Sequence, residues 1–206
     1  MRNWKMLFDL CPIVQAARNA RSISITAMAH MKAGADNEER MEEQLLYTSE
    51  YILLRGKTDG SYPGLLREVD VTPVCEVDEQ AIMKLYQSVP EKHRKNAVFV
   101  MNAVTLHELY RTLRYGPQNL LTSRDDDSFM LMNIPIALCN AMPCIGAGSV
   151  PILYGDFSKI RIEDCGRGEL EQKPRDGHPG DVVCSMTGYV NYTLLDRQAV
   201  KGLKVI

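Results

Sequence analysis

Residues 182–194 read Val-Val-Cys-Ser-Met-Thr-Gly-Tyr-Val-Asn-Tyr-Thr-Leu and alternate between apolar and polar side chains. One face of this stretch is apolar and carries Val182, Cys184, Met186, Val190, Tyr192 and Leu194. The opposite face is polar and carries Ser185, Thr187, Asn191 and Thr193. A period of two is typical of a β-strand with one buried face. At about 3.3 Å per residue the strand spans roughly 40 Å, which suits a protein that contacts a neighbouring molecule.

A second, shorter segment with the same character lies upstream. Residues 151–159 read Pro-Ile-Leu-Tyr-Gly-Asp-Phe-Ser-Lys, and residues 160–164 continue with Ile-Arg-Ile-Glu-Asp. A polar connection around residues 173–180 separates this segment from the long strand. The two segments are therefore predicted to pair as an extended antiparallel β ribbon.

A long amphipathic helix is predicted over residues 36–54. Met41, Leu45, Ile52 and Leu53 recur at helical spacing, and glutamates largely fill the other face. Asp36, with a glutamate three residues later, matches a capping box, and a glycine at position 56 suits the C-terminal end. Residues 22–29 alternate as a half-buried strand. We expect the helix to cover the apolar face of the ribbon.

The middle of the chain alternates between helix and strand signals. Asp78 is placed to cap a helix that Pro90 ends, and Asn102 is placed to cap a second helix. Short apolar runs typical of buried strands occupy residues 97–101, 134–139 and 151–154. This succession predicts a small α/β layer. Loops are predicted in the polar stretch 115–128 and in the proline- and glycine-containing stretch 141–150.

Together these patterns predict an α+β fold. Residues 1–60 would form an N-terminal segment and the long helix, residues 61–154 the small α/β domain, and residues 155–206 the β ribbon and the C-terminus. The formal net charge of −2 lacks the basic footprint of a dedicated nucleic-acid-binding domain. The six cysteines and four histidines show no zinc-binding spacing, and the thiols are expected to be reduced, as in the cytosol. No apolar run of about 18 residues is present, so no transmembrane helix is predicted.

Four short motifs favour structural explanations over catalytic ones. The acidic triplet 125–127 is typical of a solvated loop, and His107-Glu108 lacks the second histidine four residues on that a metalloprotease helix needs. Residues 146–149 lack the Lys-Ser/Thr of a phosphate loop. The basic residues 92–95 either face DNA or connect a helix to a strand, and the second alternative is favoured. We therefore predict no catalytic, cofactor-binding or metal-binding residues and no enzymatic activity.

Four further stretches occur in a fixed succession. They read Leu-Arg-Gly-Lys-Thr-Asp-Gly-Ser-Tyr-Pro-Gly-Leu-Leu at 54–66, Asn-Ala-Val-Phe-Val-Met-Asn at 96–102, Asn-Ala-Met-Pro at 140–143 with the run 151–158, and Leu-Asp-Arg-Gln-Ala-Val-Lys-Gly-Leu-Lys at 195–204. Each is weak alone, but their order and intervals resemble the major capsid proteins of tailed bacteriophages, whose fold is named after phage HK97. The resemblance covers roughly residues 36–206.

The resemblance implies an HK97-like capsid fold with a peripheral domain, made of the long helix and the ribbon, and a small α/β axial domain. It implies a structural subunit of a phage or prophage icosahedral capsid that self-assembles into pentamers and hexamers and forms a DNA-containing shell. The loops 115–128 and 141–149 would meet near the ring centres. The N-terminal arm and extended loop of the family are expected to be missing ahead of the long helix.

The implied partners are copies of the chain itself. Scaffold, portal and decoration proteins are further candidates, packaged DNA would be held only loosely, and no membrane or cofactor is expected. The implied location is the virion capsid, after assembly in the bacterial host cytoplasm. One alternative function is that of a shell protein of an encapsulin-type bacterial nanocompartment, which has the same fold but a different role. The other alternative is a small α/β enzyme.

Overall fold

The computed structural model describes residues 10–15, 22–113, 120–123 and 129–206. Its helices are α1 (Asn37–Arg55), α2 (Leu65–Glu68), α3 (Glu79–Ser88), α4 (Glu91–Arg94) and α5 (Ala103–Leu113). Its strands are β1 (Ile13–Gln15), β2 (Ile23–Lys32), β3 (Asp70–Val74), β4 (Val98–Met101), β5 (Leu121–Ser123), β6 (Phe129–Leu131), β7 (Ile134–Leu138), β8 (Ile152–Gly155), β9 (Ile160–Arg167), β10 (Glu171–Pro174), β11 (Asp181–Leu194) and β12 (Val200–Val205). A 3-10 turn, Phe157–Lys159, joins β8 to β9.

The first sheet has five strands and is organised around β11. Along one edge, β11 pairs antiparallel with β2, from Asp181 opposite Lys32 to Val190 opposite Ile23. Along the other edge it pairs with β10 and then β9, with a register shift after Gly188. Strand β1 adds to β9 in parallel. The predicted antiparallel ribbon is confirmed, and the connection between its strands contains the additional strand β10.

Helix α1 covers the apolar face of this sheet, as predicted. Met41 and Leu45 are buried in one hydrophobic cluster with Met186 and Val190 of β11. The helix ends as expected, because the Gly56 N–H donates to the Ile52 carbonyl at 2.8 Å. The predicted capping box is wrong. Asp36 makes no side-chain capping bond, since its backbone (φ −83°, ψ 2°) is not in the extended conformation from which a cap side chain reaches the first turn.

The second sheet has seven strands in the order β3-β12-β8-β4-β7-β6-β5. Successive side chains along each strand point to opposite faces of the sheet, so each face packs against its own hydrophobic cluster. On one face, helices α3 and α5 pack against Phe99, Ile152 and Leu203. On the other face, Val100 and Leu153 belong to the cluster that also contains the last turns of α1. One sheet therefore carries two separate apolar layers, and α1 connects it to the first sheet.

Two predicted helix caps in this layer are confirmed. The Asp78 carboxylate accepts the Ala81 N–H at 2.7 Å, and the Asn102 side-chain oxygen accepts the Thr105 N–H at 2.8 Å. Strands β4 and β8 are buried as expected, whereas β7 is only half-buried.

The stretch 115–128, predicted to be one loop, contains strand β5, which pairs with β6. Leu121 is buried there. Two adjacent leucines, Leu120 and Leu121, among polar neighbours give too little periodicity to predict such a strand.

Strand β12 lies between β3 and β8, parallel to the first and antiparallel to the second. Residues 200–205 therefore belong with the sheet of the middle segment, whereas the sequence assigned them to the ribbon segment 155–206. The partners of β12 lie far from it along the chain, so no local pattern identifies the sheet that it joins.

Candidate assembly surfaces

The two sheets meet at a junction where the chain passes between them at residues 56–64, 155–160 and 194–200. Glycine backbones make the closest contacts there. A Cβ built on Gly64 would lie 2.2 Å from the Gly56 nitrogen, and one built on Gly155 would lie 2.0 Å from the Ala199 oxygen. All three glycines have positive φ angles, which glycine adopts without steric cost. Direct backbone contacts therefore hold together the chain segments that pass through the junction.

Two tyrosines pack beside this junction. The rings of Tyr62 and Tyr192 lie 5.8 Å apart in an edge-to-face arrangement with an interplanar angle of 83°, a favoured geometry for aromatic pairs. Burial raises the pKa of both phenols, so both hydroxyls are neutral at physiological pH. Because Tyr62 follows α1 and Tyr192 belongs to β11, the pair ties the helix end to the ribbon.

The basic stretch 92–95 lies at the same junction. Lys92 Nζ and His93 Nε2 lie 3.1 and 3.0 Å from Oδ2 of Asp196, in the turn after β11. Arg94 donates to the Val89 carbonyl at 2.8 Å, and its guanidinium lies 4.6 Å from the centre of the Tyr86 ring. The backbone N–H of Gln198 and the Lys92 ammonium lower the pKa of Asp196 to about 2. Three of the four basic residues thus make contacts within the subunit, and the stretch lies between helix α3 and strand β4, as the favoured alternative predicted.

The five-stranded sheet presents a broad exposed face opposite α1. Met28 of β2 is 66% exposed, and Thr26 and Thr187 hydroxyls are hydrogen-bonded across the strands at 2.9 Å. All four residues of β10 are exposed. Within the described residues, β2 has a partner strand on one edge only. This sheet therefore offers an extended surface that a neighbouring molecule can contact.

The loop 141–149 has a fixed shape. Ser149 Oγ donates to the Gly146 carbonyl at 2.6 Å, and the Gly148 N–H donates to Val205 at 2.8 Å. Asn102 donates to the Met142 carbonyl at 3.1 Å. A strand, β8, follows this loop, so the helix N-terminus that a phosphate loop requires is missing here. Residues 114–119 and 124–128, which include the acidic triplet, lie outside the described residues.

The side chains singled out as catalytic or metal-binding candidates can now be placed in the structure. No group of three His, Cys, Asp or Glu side chains among the described residues is placed to hold a metal ion. His107 and Glu108 are exposed on α5. The six cysteines are unpaired, and burial raises the pKa of the Cys139 thiol to about 12. None of the described helices is long and apolar enough to cross a membrane.

Two groups of residues at these surfaces were missed in the sequence. Asp196 follows a strand and accepts the Gln198 N–H at 2.9 Å, a local turn signal that could have been recognised. Its partners in α4 are about a hundred residues away along the chain, and no local sequence pattern predicts a contact between such distant residues. The second group comprises three cations around one cleft: Arg55, Arg67 and Lys204.

Comparison with known proteins identifies the family. The profile described as "Phage capsid family" matches residues 38–205. A search of curated proteins finds no significant match. Among solved structures, the capsid of the empty GTA particle superposes with a TM-score of 0.69 at 16% identity, over all of this chain and 91% of that one. A structure from Gordonia phage Cozz superposes with a TM-score of 0.66 at 11% identity, and the match covers 98% of this chain and 86% of the phage chain. The holo-SrpI encapsulin complex from Synechococcus elongatus PCC 7942 superposes with a TM-score of 0.64 at 13% identity, and the match covers 99% of this chain and 87% of the encapsulin chain.

At these identities the structural matches establish the fold, and they confirm the predicted HK97-like architecture of long helix, antiparallel ribbon and small α/β layer. The family profile spans most of the chain, from the first turn of α1 to the end of β12. The chain therefore belongs to the phage capsid family and is a structural subunit of a capsid.

Proposed function

We propose that the subunit assembles into pentamers and hexamers, and that these rings close an icosahedral shell around packaged DNA. The observation that carries this proposal is the family match over residues 38–205 together with the capsid-like arrangement of two sheets held by α1. Contacts between two different faces of identical subunits generate closed rings when the rotation between neighbours is a whole fraction of a turn.

In this proposal the seven-stranded sheet and its loops form the axial domain, and residues 141–149 lie near the ring centre. The long helix and the five-stranded sheet form the peripheral domain and contact neighbouring rings. The mild net charge of −2 suits an inner wall that encloses DNA without binding it tightly. Assembly would take place in the bacterial host cytoplasm, with scaffold or portal proteins as further partners.

Light scattering behind size exclusion, over a concentration series, tests the first part of this proposal. We expect species with the mass of five or six subunits, or larger closed shells, and negative-stain electron microscopy of the same fractions should show rings or shells. A chain that stays monomeric at every concentration would contradict the proposal.

The encapsulin-type shell remains the second candidate, because the SrpI encapsulin complex shares the fold over 99% of this chain. The contents of shells purified from the native host distinguish the two. A DNA-containing capsid should hold nuclease-protected nucleic acid. An encapsulin-type compartment should instead hold a co-purifying protein in a fixed ratio to the shell subunit.

A further inference from the structure

A cleft of about 480 Å³ lies where α1, α2, β3, β12 and the loop before β8 come together. Its apolar wall is formed by Leu66, Val69, Val71, Pro143 and Val150. Three cations, Arg55, Arg67 and Lys204, stand around it, and its lining contains no carboxylate. The cleft therefore combines an apolar surface with a concentrated positive charge.

Among the residues that the structure describes, no carboxylate neutralises the cations of this cleft. Arg55 Nε donates to the Ala141 carbonyl at 2.6 Å. This hydrogen bond orients the side chain, but the carbonyl is neutral and does not compensate the positive charge of the guanidinium. No described carboxylate forms a salt bridge with any of the three cations. The nearest acids in the sequence have other neighbours: Asp70 pairs with Lys201, and Glu68 lines a different cavity beside Tyr62. Strand alternation places Val71, and not Asp70, in the cleft.

A matching acidic group lies at the start of α3, where Glu76, Asp78 and Glu79 follow one another closely. Glu76 and Asp78 are exposed and Glu79 is half-buried. One oxygen of Asp78 accepts the Ala81 N–H, but none of the three acids has a salt bridge among the described residues. We name residues 76–79 the acidic corner.

The cleft and the acidic corner lie on opposite faces of the seven-stranded sheet. Helix α3 packs through Ile82 onto the face that carries Leu203. The cleft residues Val69 and Val150 belong to the cluster on the other face, and Lys204 is the next residue along β12 from Leu203, so it points to that other face. A ring requires this arrangement, because each subunit meets its two neighbours through opposite sides.

We propose, on the basis of the capsid function proposed above, that the cleft binds the acidic corner of an adjacent copy. Three positive charges on one subunit then face three negative charges on the next. The apolar wall of the cleft excludes water from the contact, which strengthens the attraction between the charges. Complementary charges of this kind fix the register of an interface and reject wrong neighbours.

A second acidic surface, the first turns of α1, is the less suitable partner. Glu38 and Glu39 lie at the helix N-terminus, where negative charge is already stabilised by the helix dipole. Glu42 forms a salt bridge of 2.9 Å with Arg167 of the same subunit. These acids border the five-stranded sheet and not the sheet that carries the cleft. They supply the matched control for the experiment.

The experiment reverses the charges on each side separately. R67E/K204E changes the cleft, and E76K/E79K changes the acidic corner. Each variant should raise the concentration for half-assembly by about tenfold or more, because like charges then face each other. The controls are K95E/R161E and E38K/E39K, which change the same number of exposed charges elsewhere. Because some of these residues lie on the helix and sheet proposed to contact neighbouring rings, the quantity compared is the formation of rings of five or six subunits, which the controls should leave as in the wild type. Circular dichroism and thermal unfolding establish that each variant is folded.

An equimolar mixture of the two reversed variants provides a sharper test. Every interface between unlike variants is complementary, whereas every interface between like variants is repulsive. Only rings with strictly alternating subunits satisfy all interfaces, so hexamers should form and pentamers should be lost. The quadruple variant R67E/K204E/E76K/E79K should assemble alone, because both sides of its interface are reversed together.

The outcomes separate this inference from the proposed function. A wild type that assembles, with reversed variants that assemble equally well, overturns the cleft–corner contact and leaves the capsid function intact. A wild type that never assembles contradicts the capsid function itself. If R67E/K204E assembles normally but binds duplex DNA several-fold more weakly than K95E/R161E does, the cleft is a phosphate-binding site and the proposal is wrong.

Discussion

Gly155, at the end of β8, lies directly against Ala199, and the next residue's N–H donates to the Ala199 carbonyl at 2.9 Å. The two chain crossings between the sheets therefore touch through their backbones. No larger residue fits at position 155 without movement, because a Cβ there would lie 2.0 Å from the Ala199 oxygen. This contact extends the pairing of β8 with β12 to the point where both chain segments leave the seven-stranded sheet for the ribbon.

The first prediction concerns this contact. Gly155→Ala should lower the free energy of unfolding by about 3 kcal/mol or more, since it adds both a backbone clash and an unfavourable positive φ angle. Urea denaturation followed by circular dichroism measures the change. Gly146→Ala is the matched control, because no atom lies within 4 Å of a Cβ built there. It should change stability by less than about 0.5 kcal/mol. Equal effects of the two substitutions would contradict the backbone contact.

The second prediction concerns the pH dependence of the Asp196 contact. The pKa of Asp196 is lowered from 3.8 to about 2 by the Gln198 N–H and the Lys92 ammonium. A carboxylate with a lowered pKa in the folded state stabilises the protein above its unfolded pKa and loses that contribution as the pH falls. The stability difference between the wild type and Asp196→Asn should therefore shrink as the pH falls from about 4 to about 2. Denaturant titrations at several pH values measure it, and a difference that does not change with pH would refute the charge contribution.

The third prediction compares two residues that both precede helices. Asn102→Ala should cost about 1 to 2 kcal/mol or more, because Asn102 caps the Thr105 N–H and also donates to the Met142 carbonyl. Asp36→Ala should cost less than about 0.5 kcal/mol, because Asp36 makes no side-chain capping bond. Chemical denaturation of both variants tests the contrast. A large loss at Asp36 would mean that the capping box forms after all.

The fourth prediction concerns the packing of α1 on the ribbon. Leu45 is buried against Gly188, with its Cδ2 atom 3.0 Å from where a Cβ on that glycine would lie. Leu45→Ala should destabilise the subunit by about 2 to 5 kcal/mol through lost burial and the cavity left behind. Met28→Ala, on the exposed face of the same sheet, is the control and should have little effect. Thermal unfolding of both variants distinguishes a covered face from an exposed one, and comparable losses would indicate that the helix does not lie on β11.

The sequence predicted those elements whose signals are local. The alternation at 182–194, the helical spacing of Met41 and Leu45, and the caps at Asp78 and Asn102 all lie within a few residues of the structure that they specify. Strand β5 was missed because one buried leucine is too weak a signal for a strand. The cap at Asp36 was predicted wrongly because the residue type alone does not determine the backbone angles that a cap requires.

The surfaces were harder to predict than the fold. Asp196 and His93 are about a hundred residues apart, and the cleft gathers Arg55, Arg67 and Lys204 from three distant elements. In the sequence, nothing distinguishes these residues from the other ionisable residues of the chain. Only the topology, in which β12 returns to lie beside β3, brings Arg67 and Lys204 to the same cleft.

The position of β12 between β3 and β8 also sets a temporal order for the subunit. During synthesis, β3 and β8 emerge from the ribosome well before the strand that must lie between them. The seven-stranded sheet therefore cannot be completed until residue 205 has been made, and contacts this distant in sequence form slowly. The cleft, to which β12 contributes Lys204, is therefore completed only when this last strand has paired.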